Sequence, residues 1–328
     1  MMDPKNIPAD YSATDEDDAG VITLDIPADC VGMRLDQALA RLLPEYSRSR
    51  LQSWIRDSLV VVDDAPATVS QKLRGVEKIS VAVQPDADEL AFTPEAIPLN
   101  IVFEDDALIV LNKPPGLVVH PGNGNWSGTL LNGLLHHCAS LTGVPRAGIV
   151  HRLDKDTSGL MAIAKTLIAQ THLVRQLQAR SVSREYLAIV DGAVTRDGSV
   201  DAPIGRHPRE RTRMAVVSQG KEAVTHYQAL ERLPHHTLVA CRLETGRTHQ
   251  IRVHMQSLGF PLASDPVYGG RPRALPEPVR QALEVFGRQA LHARRLALRH
   301  PTTEELMSWE APLPADMQTL LDTLRVGG

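Results

Sequence analysis

The sequence predicts an α+β protein in which a small unit of helices and a hairpin precedes a larger domain built on a mixed, largely antiparallel sheet. Three observations lead there. Between residues 32 and 83, two short segments with helical apolar spacing are followed by alternating β-branched residues. From Ile101 onward, strand-like runs outnumber helical ones. Few of those runs are separated by a crossover helix, which a parallel sheet would need.

Residues 1–20 contain Asp15, Glu16, Asp17 and Asp18 in a row with almost no apolar content, and are expected to form a disordered acidic tail. The strand-like VITLDI opens a first domain over residues 21–84. In RLDQALARLL, Leu35, Leu39 and Leu42 fall at helical spacing. A second helix begins after Ser47, a suitable cap, with Leu51, Trp54 and Ile55 inward. LVVV, the turn DDAP and alternating Ile79, Val81 and Val83 complete the unit. Residues 85–100 hold three prolines and several acids and read as a linker; residues 101–328 form the larger domain. There IVFEDDALIVLNK predicts a hairpin, and TLLNGLLHHCA a buried helix. GLMAIA predicts a strand, and a helix from Thr166 carries Ala169, Leu173 and Leu177 on one stripe. EYLAIV, AVTHYQAL and TLVACRL are further strands.

The 328 residues suffice for about two domains, and 43% hydrophobic with 23% charged residues is a soluble globular composition. No export signal opens the chain and no run approaches the roughly 18 apolar residues of a membrane span. A cytoplasmic protein with no membrane segment is expected. Cys30, Cys138 and Cys241 lie far apart without CxxC spacing, and the thirteen histidines show no HExxH. No metal site is expected. The net charge of -4 is uneven: residues 1–30 hold eight acids against Lys5 alone, which leaves residues 31–328 at +3. That mildly basic body is compatible with a polyanionic partner.

GIVHRLDKDTSGL, residues 148–160, poses the chemical question. Asp154, Asp156, Ser158 and Gly159 fit the start of a calcium loop, but the twelfth position, where a bidentate Glu must close the shell, is Lys165. Turn chemistry accounts for Asp156, Thr157 and Ser158, whose side chains bond nearby backbone donors in tight turns. It does not explain why His151 and Arg152 precede Asp154 where the apolar GIV runs into a loop, a place where scaffolds present reactive groups.

HRLDKDTSGL resembles the HRLDxxTSGL signature of the large-subunit ribosomal RNA pseudouridine synthases. NKPPGLVVHPG (112–122), REYLA (184–188), TGRTHQIRVH (245–254) and DPVYGG (265–270) resemble further motifs of that family in the same order. The first unit is similar to an S4 RNA-binding domain through Arg34, Leu35 and Asp36, SRSRLQSWI and VVVDD; Asp63-Asp64 stands where Asn-Gly is usual, and GVE where Gly-Asp is usual.

The resemblance implies a catalytic domain of pseudouridine synthase type that breaks the N-glycosidic bond of a uridine and rejoins the uracil to ribose through carbon five, with no cofactor. It assigns the essential carboxylate to Asp154, the partner guanidinium to Arg252 and the ring against the target uracil to Tyr186; Arg247 is the second choice of partner. Ile251, Met255 and Leu258 at helical spacing would fix the Arg252 segment on the core. A uridine must leave its stack to reach Asp154, and Arg152 is the residue implied to fill the gap.

Phosphate contacts are expected from Arg34, Arg48, Arg50, Arg56 and Lys72 in the S4-like unit, and from Arg206, Arg209, Arg211 and Arg213 in the basic loop RHPRERTR. Read without the resemblance, these are solvated basic faces, Tyr186 is a core tyrosine and Arg252 a surface arginine. The expected partner is large-subunit ribosomal RNA, free or within the assembling subunit, bound by a monomer. The alternatives are a non-catalytic RNA-binding ribosome-assembly factor, which would not need Asp154, Tyr186 and Arg252 to converge, and a hydrolase releasing the base, which would need a second acid or a positioned water.

Overall fold

The computed structural model describes residues 21–83, 91–122, 125–210, 212–270 and 274–327. The acidic segment 1–20, most of the first half of the expected linker, and Arg211 lie outside the described residues. The chain divides into two compact units, Met1–Asp86 and Ala87–Gly328.

The first unit contains β1 (Val21–Asp25), α1 (Leu35–Leu42), α2 (Arg48–Arg56), β2 (Val60–Val62), β3 (Ala65–Pro66) and β4 (Lys78–Ala82). Its antiparallel sheet has the order β1-β4-β2-β3. Leu35, Leu39, Leu51, Trp54, Ile55, Ile79 and Val81 form its core, as the periodicity predicts. Ser47 caps α2 by accepting the Arg50 N–H. Asp63 and Asp64 both take left-handed conformations (φ 50° and 59°), as a two-residue hairpin turn of the mirror-image type requires. Asp63 stands in for the usual Asn because its Oδ1 accepts the Lys78 N–H at 2.9 Å. Glu77, at the end of GVE, similarly accepts the N–H groups of Arg74, Gly75 and Val76.

The second unit begins its described part by packing on a helix. Asn132 donates to the Thr93 carbonyl at 2.8 Å, and Glu95 accepts the Gly128 N–H, so residues 91–95 are fastened to the rest of this unit. The elements are β5 (Ile101–Glu104), β6 (Leu108–Lys113), α3 (Leu130–His137), β7 (Ser158–Ala164), α4 (Leu167–Gln178), β8 (Ser183–Asp191), β9 (Gly198–Asp201), β10 (Ile204–Arg206), β11 (Met214–Val216), β12 (Val224–Arg232), β13 (His236–Leu243), α5 (Gln250–Ser257), α6 (Glu277–Phe286), β14 (Leu291–Arg299), β15 (Leu306–Glu310) and α7 (Ala315–Val326).

A nine-stranded sheet has the order β5-β6-β7-β14-β8-β13-β12-β9, with β15 added alongside β14. Its pairings are antiparallel except β7 with β14, where His292 faces Ser158 and Ala293 faces Gly159. Gly159 has φ 120°, and a Cβ there would lie 2.3 Å from the Ala293 carbonyl oxygen, so only glycine permits this close pairing. Both faces of the sheet are covered. Leu130 and Leu134 of α3 and Ile251 and Met255 of α5 pack on one face. Ala169 and Leu173 of α4 cover the other face at one end, and Leu320 and Leu324 of α7 at the other. This explains why every residue of β7 is buried and its sequence does not alternate.

Three expectations change. Leu258 does not anchor α5: it lies just past the helix and is 38% exposed. RHPRERTR is not a plain loop, since β10 and β11 pair antiparallel and it forms the end of their hairpin. Residues 274–327 hold four elements absent from the periodicity reading, including β14 in the middle of the sheet, whose LHARRLALR mixes arginines with apolar residues.

Candidate active site

Asp154 sits in the turn that leads into β7, where the Thr157 N–H bonds the Asp154 carbonyl at 3.1 Å. The turn is fastened by groups distant in sequence. Lys113, completely buried at the end of β6, donates from Nζ to the carbonyls of Pro114 (2.8 Å), Leu117 (3.0 Å) and Lys155 (2.8 Å). Only an ammonium has three protons for three acceptors. Arg288 Nη1 donates to the Asp156 carbonyl and Gln289 to Thr157 Oγ1. Ser158 Oγ meets His292 Nδ1 at 2.9 Å. Thr157 and Ser158 therefore tie the turn to residues 289 and 292 by side-chain bonds, a correction to their expected role in local turn bonding.

Arg252 lies on α5 and is 4% exposed. Its Nη1 is 3.0 Å from Asp154 Oδ2, while Nε and Nη2 contact both oxygens of Asp265 at 2.7 and 2.8 Å. Burial alone would pull the guanidinium down; the hydrogen bonds and charge of Asp265, with that of Asp154, outweigh it and raise it above its ordinary value. Burial alone would raise the Asp265 carboxyl, but Arg252 and the N–H groups of Tyr268 and Val267 hold it below the usual carboxylate range. Tyr268 also lies under the guanidinium, 4.9 Å from ring centre to Arg252 Cζ.

His249, left-handed at φ 57° at the start of α5, places Nε2 3.9 Å from Asp154 Oδ1 and Nδ1 2.8 Å from the Tyr268 hydroxyl. That hydroxyl accepts the Met214 N–H, and because Tyr268 is fully buried its own proton points to His249 Nδ1. In this tautomer the Nε2–H faces Asp154. Burial, opposed by the Asp154 charge, pushes the His249 value below normal.

Tyr186 is on β8, 6% exposed, and its hydroxyl has no hydrogen-bond partner among the described residues. Burial, with Arg184 opposing and Asp154 assisting, raises its phenol above the ordinary value. His151 accepts the Ala162 N–H at Nε2, and burial together with Arg184 lowers it to about 3, so it is a neutral support beneath the turn. Arg152 is exposed, and no hydrogen bond or ion pair holds it among the described residues.

Asp154, Tyr186, Arg252 and Arg152 thus line one cleft of about 980 Å³, together with His249 and Arg184. Its walls also carry Arg146, Arg180 and Arg247, against Glu244 as the one further acid among the described residues. Arg247 is directed elsewhere, to the Glu222 carbonyl, and Arg252 is the partner of Asp154. Among the described residues, no three His, Cys, Asp or Glu side chains converge to hold a metal ion. The residues not singled out by sequence are Lys113, Arg184, His249, Asp265 and Tyr268. All fall in motifs quoted above, Lys113 in NKPPGLVVHPG, Arg184 in REYLA and the other three in TGRTHQIRVH and DPVYGG, which mark them as a group but not by role.

The basic residues outside the cleft divide. Asp36, fully buried, is bound by Arg48 (2.6 and 3.0 Å), Gln52 (2.7 Å) and Arg34 (3.0 Å). Burial alone would raise its carboxyl, but these bonds bring it to about 2. Arg48 and Gln52 therefore tie α2 to Asp36 of α1, and Arg34 braces the same carboxylate from the start of α1, structural uses that the phosphate-contact expectation does not include. Arg50 packs over the rings of Tyr46 and Trp54 at 5.2 and 5.0 Å. Arg56 and Lys72 are exposed. In the hairpin, Arg206 and Arg209 are exposed, but Arg213 pairs with Glu210 at 3.1 Å and covers Tyr268.

Residues 107–257 match the family described as RNA pseudouridylate synthase, and residues 33–78 match the S4 domain. The chain is 56% identical over 319 residues to the ribosomal large subunit pseudouridine synthase D of Nitrosomonas europaea, covering 97% of this chain and 92% of that protein. It is 56% identical over 307 residues to the protein of the same name from Neisseria meningitidis serogroup B, covering 93% of this chain and 82% of that one. Among solved structures, human RNA pseudouridylate synthase domain containing 4 is 28% identical with a TM-score of 0.54, covering 73% of this chain and 95% of that one.

Proposed function

We propose, from the premise that the chain belongs to the RNA pseudouridylate synthase family, how its own residues carry out that family's reaction. The protein is an isomerase that converts uridines of large-subunit ribosomal RNA to pseudouridine. In the reaction, the bond from uracil N1 to ribose C1′ breaks and a bond from C5 to C1′ forms. C5 loses its proton and N1 ends protonated, so no oxidant or reductant takes part.

The observation that carries the residue assignment is Arg252 held in two directions, with Asp265 behind it and Asp154 in front. The Arg252 contact occupies Oδ2 of Asp154 and aims the carboxyl group, leaving Oδ1 for the nucleotide. Tyr186 supplies a ring for the flipped uracil, and its unpartnered hydroxyl is the group on hand when the C5 proton leaves. Arg152, unheld, fills the place that the base vacates. The mostly buried surroundings of Asp154 keep the detached uracil from exchanging with solvent.

The S4 domain and the hairpin arginines contribute phosphate contacts that position the RNA. The protein acts in the cytoplasm as a monomer on RNA that is free or within an assembling subunit. A non-catalytic assembly factor is not favoured, because it would have no use for the convergence of Asp154, Arg252 and Tyr186. The test is a carbodiimide and primer-extension map of ribosomal RNA from cells lacking this protein. Absent stops at specific large-subunit positions, restored by the intact gene, are expected; an unchanged map contradicts the reading.

A further inference from the structure

Arg184 precedes Tyr186 by two residues on β8, so both side chains leave the strand on the same face, about 7 Å apart along it. Arg184 is 7% exposed and lines the cleft. Yet no carboxylate receives its charge among the described residues. Nη2 donates to the Glu244 carbonyl at 3.3 Å, a long bond, and Nε is buried with no partner. The Glu244 carboxylate is itself taken by His226 at 2.6 Å and Arg180 at 3.3 Å.

A buried guanidinium without a counter-ion is costly, and native proteins rarely keep one unless a group from outside completes it. The neighbouring backbone leaves room for the cation: a Cβ on Gly246 would lie 2.8 Å from Arg184 Nη1. Arg180 and Arg247 on the same wall add to the demand for negative charge. The planar fork of an arginine matches the paired oxygens of a phosphate.

We propose that Arg184 is a phosphate-binding residue that receives the RNA backbone phosphate adjoining the nucleotide whose base lies on Tyr186. This rests on the isomerase reading above. One strand thereby presents both anchors of the flipped nucleotide, the ring for its base and the cation for its backbone, one nucleotide's reach apart.

The experiment is a cycle that removes the two charges separately and together. The substrate is an RNA fragment with [5-³H]uridine at the target, carrying a neutral methylphosphonate of either configuration at the 5′ or the 3′ adjoining phosphate. Tritium release gives kcat/KM for the native protein, Arg184→Met and Arg184→Lys. Losing a charge-assisted contact should cost roughly 10- to 100-fold on unmodified RNA in Arg184→Met, with most of the loss restored in Arg184→Lys. At one of the two phosphates, the methylphosphonate should cost the native protein a similar factor and cost Arg184→Met almost nothing further.

The salt dependence of RNA binding should fall by about one phosphate contact in the same variant. Multiplying losses at both phosphates would overturn the proposal, and if Arg184→Met does not fold, the uncharged Arg184→Gln in the same cycle decides by the same rule. A native protein that releases no tritium from unmodified RNA would instead overturn the isomerase reading beneath it.

Discussion

Arg252 and Asp265 form a two-point ion pair inside the protein, Nε to Oδ2 at 2.7 Å and Nη2 to Oδ1 at 2.8 Å, with the Asp265 side chain fully buried. Only Nη1 is then left for Asp154, 3.0 Å away. One carboxylate orients the guanidinium, and the guanidinium orients the other carboxylate. Asp265 also accepts the N–H groups of Val267 and Tyr268, so the orienting group is itself fixed by backbone.

Asp265→Ala should therefore leave a buried cation with half its partners and cost roughly 3–5 kcal/mol of stability by denaturant unfolding. Asp265→Asn keeps the shape and loses the charge. Its kcat should fall more than its affinity for RNA, and a native kcat in that variant would show that Asp154 is aimed without help from Asp265.

Lys113→Met should strand three carbonyl groups, those of Pro114, Leu117 and Lys155, where an ammonium now serves them. Each unsatisfied buried carbonyl costs about 1–3 kcal/mol, less where water enters. Urea unfolding and turnover should both suffer, because the Lys155 carbonyl belongs to the turn that holds Asp154. A stable variant with native turnover would contradict this role.

His151 gives a pH dependence with a definite sign. Its folded value, about 3, lies below the roughly 6.5 of a free histidine, because burial and Arg184 disfavour its cation. Its contribution to stability is complete above about 6.5 and is lost as pH falls toward 3, where protonation also breaks the bond from Ala162 N–H. His151→Gln retains an acceptor and does not titrate. The fall in unfolding free energy between pH 7 and 4 should be shallower in that variant than in the native protein, and equal slopes would refute the assignment.

In the first unit, Arg34 and Arg48 should behave differently from Arg56 and Lys72. Alanine at Arg48 removes the strongest partner of buried Asp36 and should destabilise residues 21–83 by roughly 2–4 kcal/mol, read as lost hydrogen-exchange protection. Alanine at Arg56 or Lys72 should leave protection unchanged and lower the salt slope of RNA binding by about one each. The opposite pattern would return Arg34 and Arg48 to the RNA interface and remove Arg56 and Lys72 from it.

The periodic elements were legible because burial leaves a direct mark on sequence: Leu51, Trp54 and Ile55 on α2, Ala169 and Leu173 on α4, and the unbroken apolar run of β7. β14 was not, since its arginines point to places that only the assembled sheet defines; Arg294, for example, meets Glu310 of β15. The pairing of Asp154 with Arg252 was legible through motif resemblance and the presence of a helix around residue 252. Asp265 and His249 were marked by motif and given no role, because their function is to hold another side chain across a tertiary contact. The same applies to Asp36: in the sequence it serves only as part of the S4-like Arg34-Leu35-Asp36 match, whereas burial makes it the tie between α1 and α2. Arg213 was read as a free cation because nothing in RHPRERTR signals that Tyr268 lies beneath it.

The central claim is that Asp154 performs the chemistry and does not merely shape the turn. Asp154→Asn is nearly isosteric and can still accept from Arg252 Nη1, so the cleft should survive the change. Pseudouridine formation on a large-subunit ribosomal RNA fragment, followed by carbodiimide and primer extension, should fall by on the order of 10⁴-fold or more, with RNA affinity changed by less than about 3-fold. Isomerisation at a rate near that of the native protein would contradict the account.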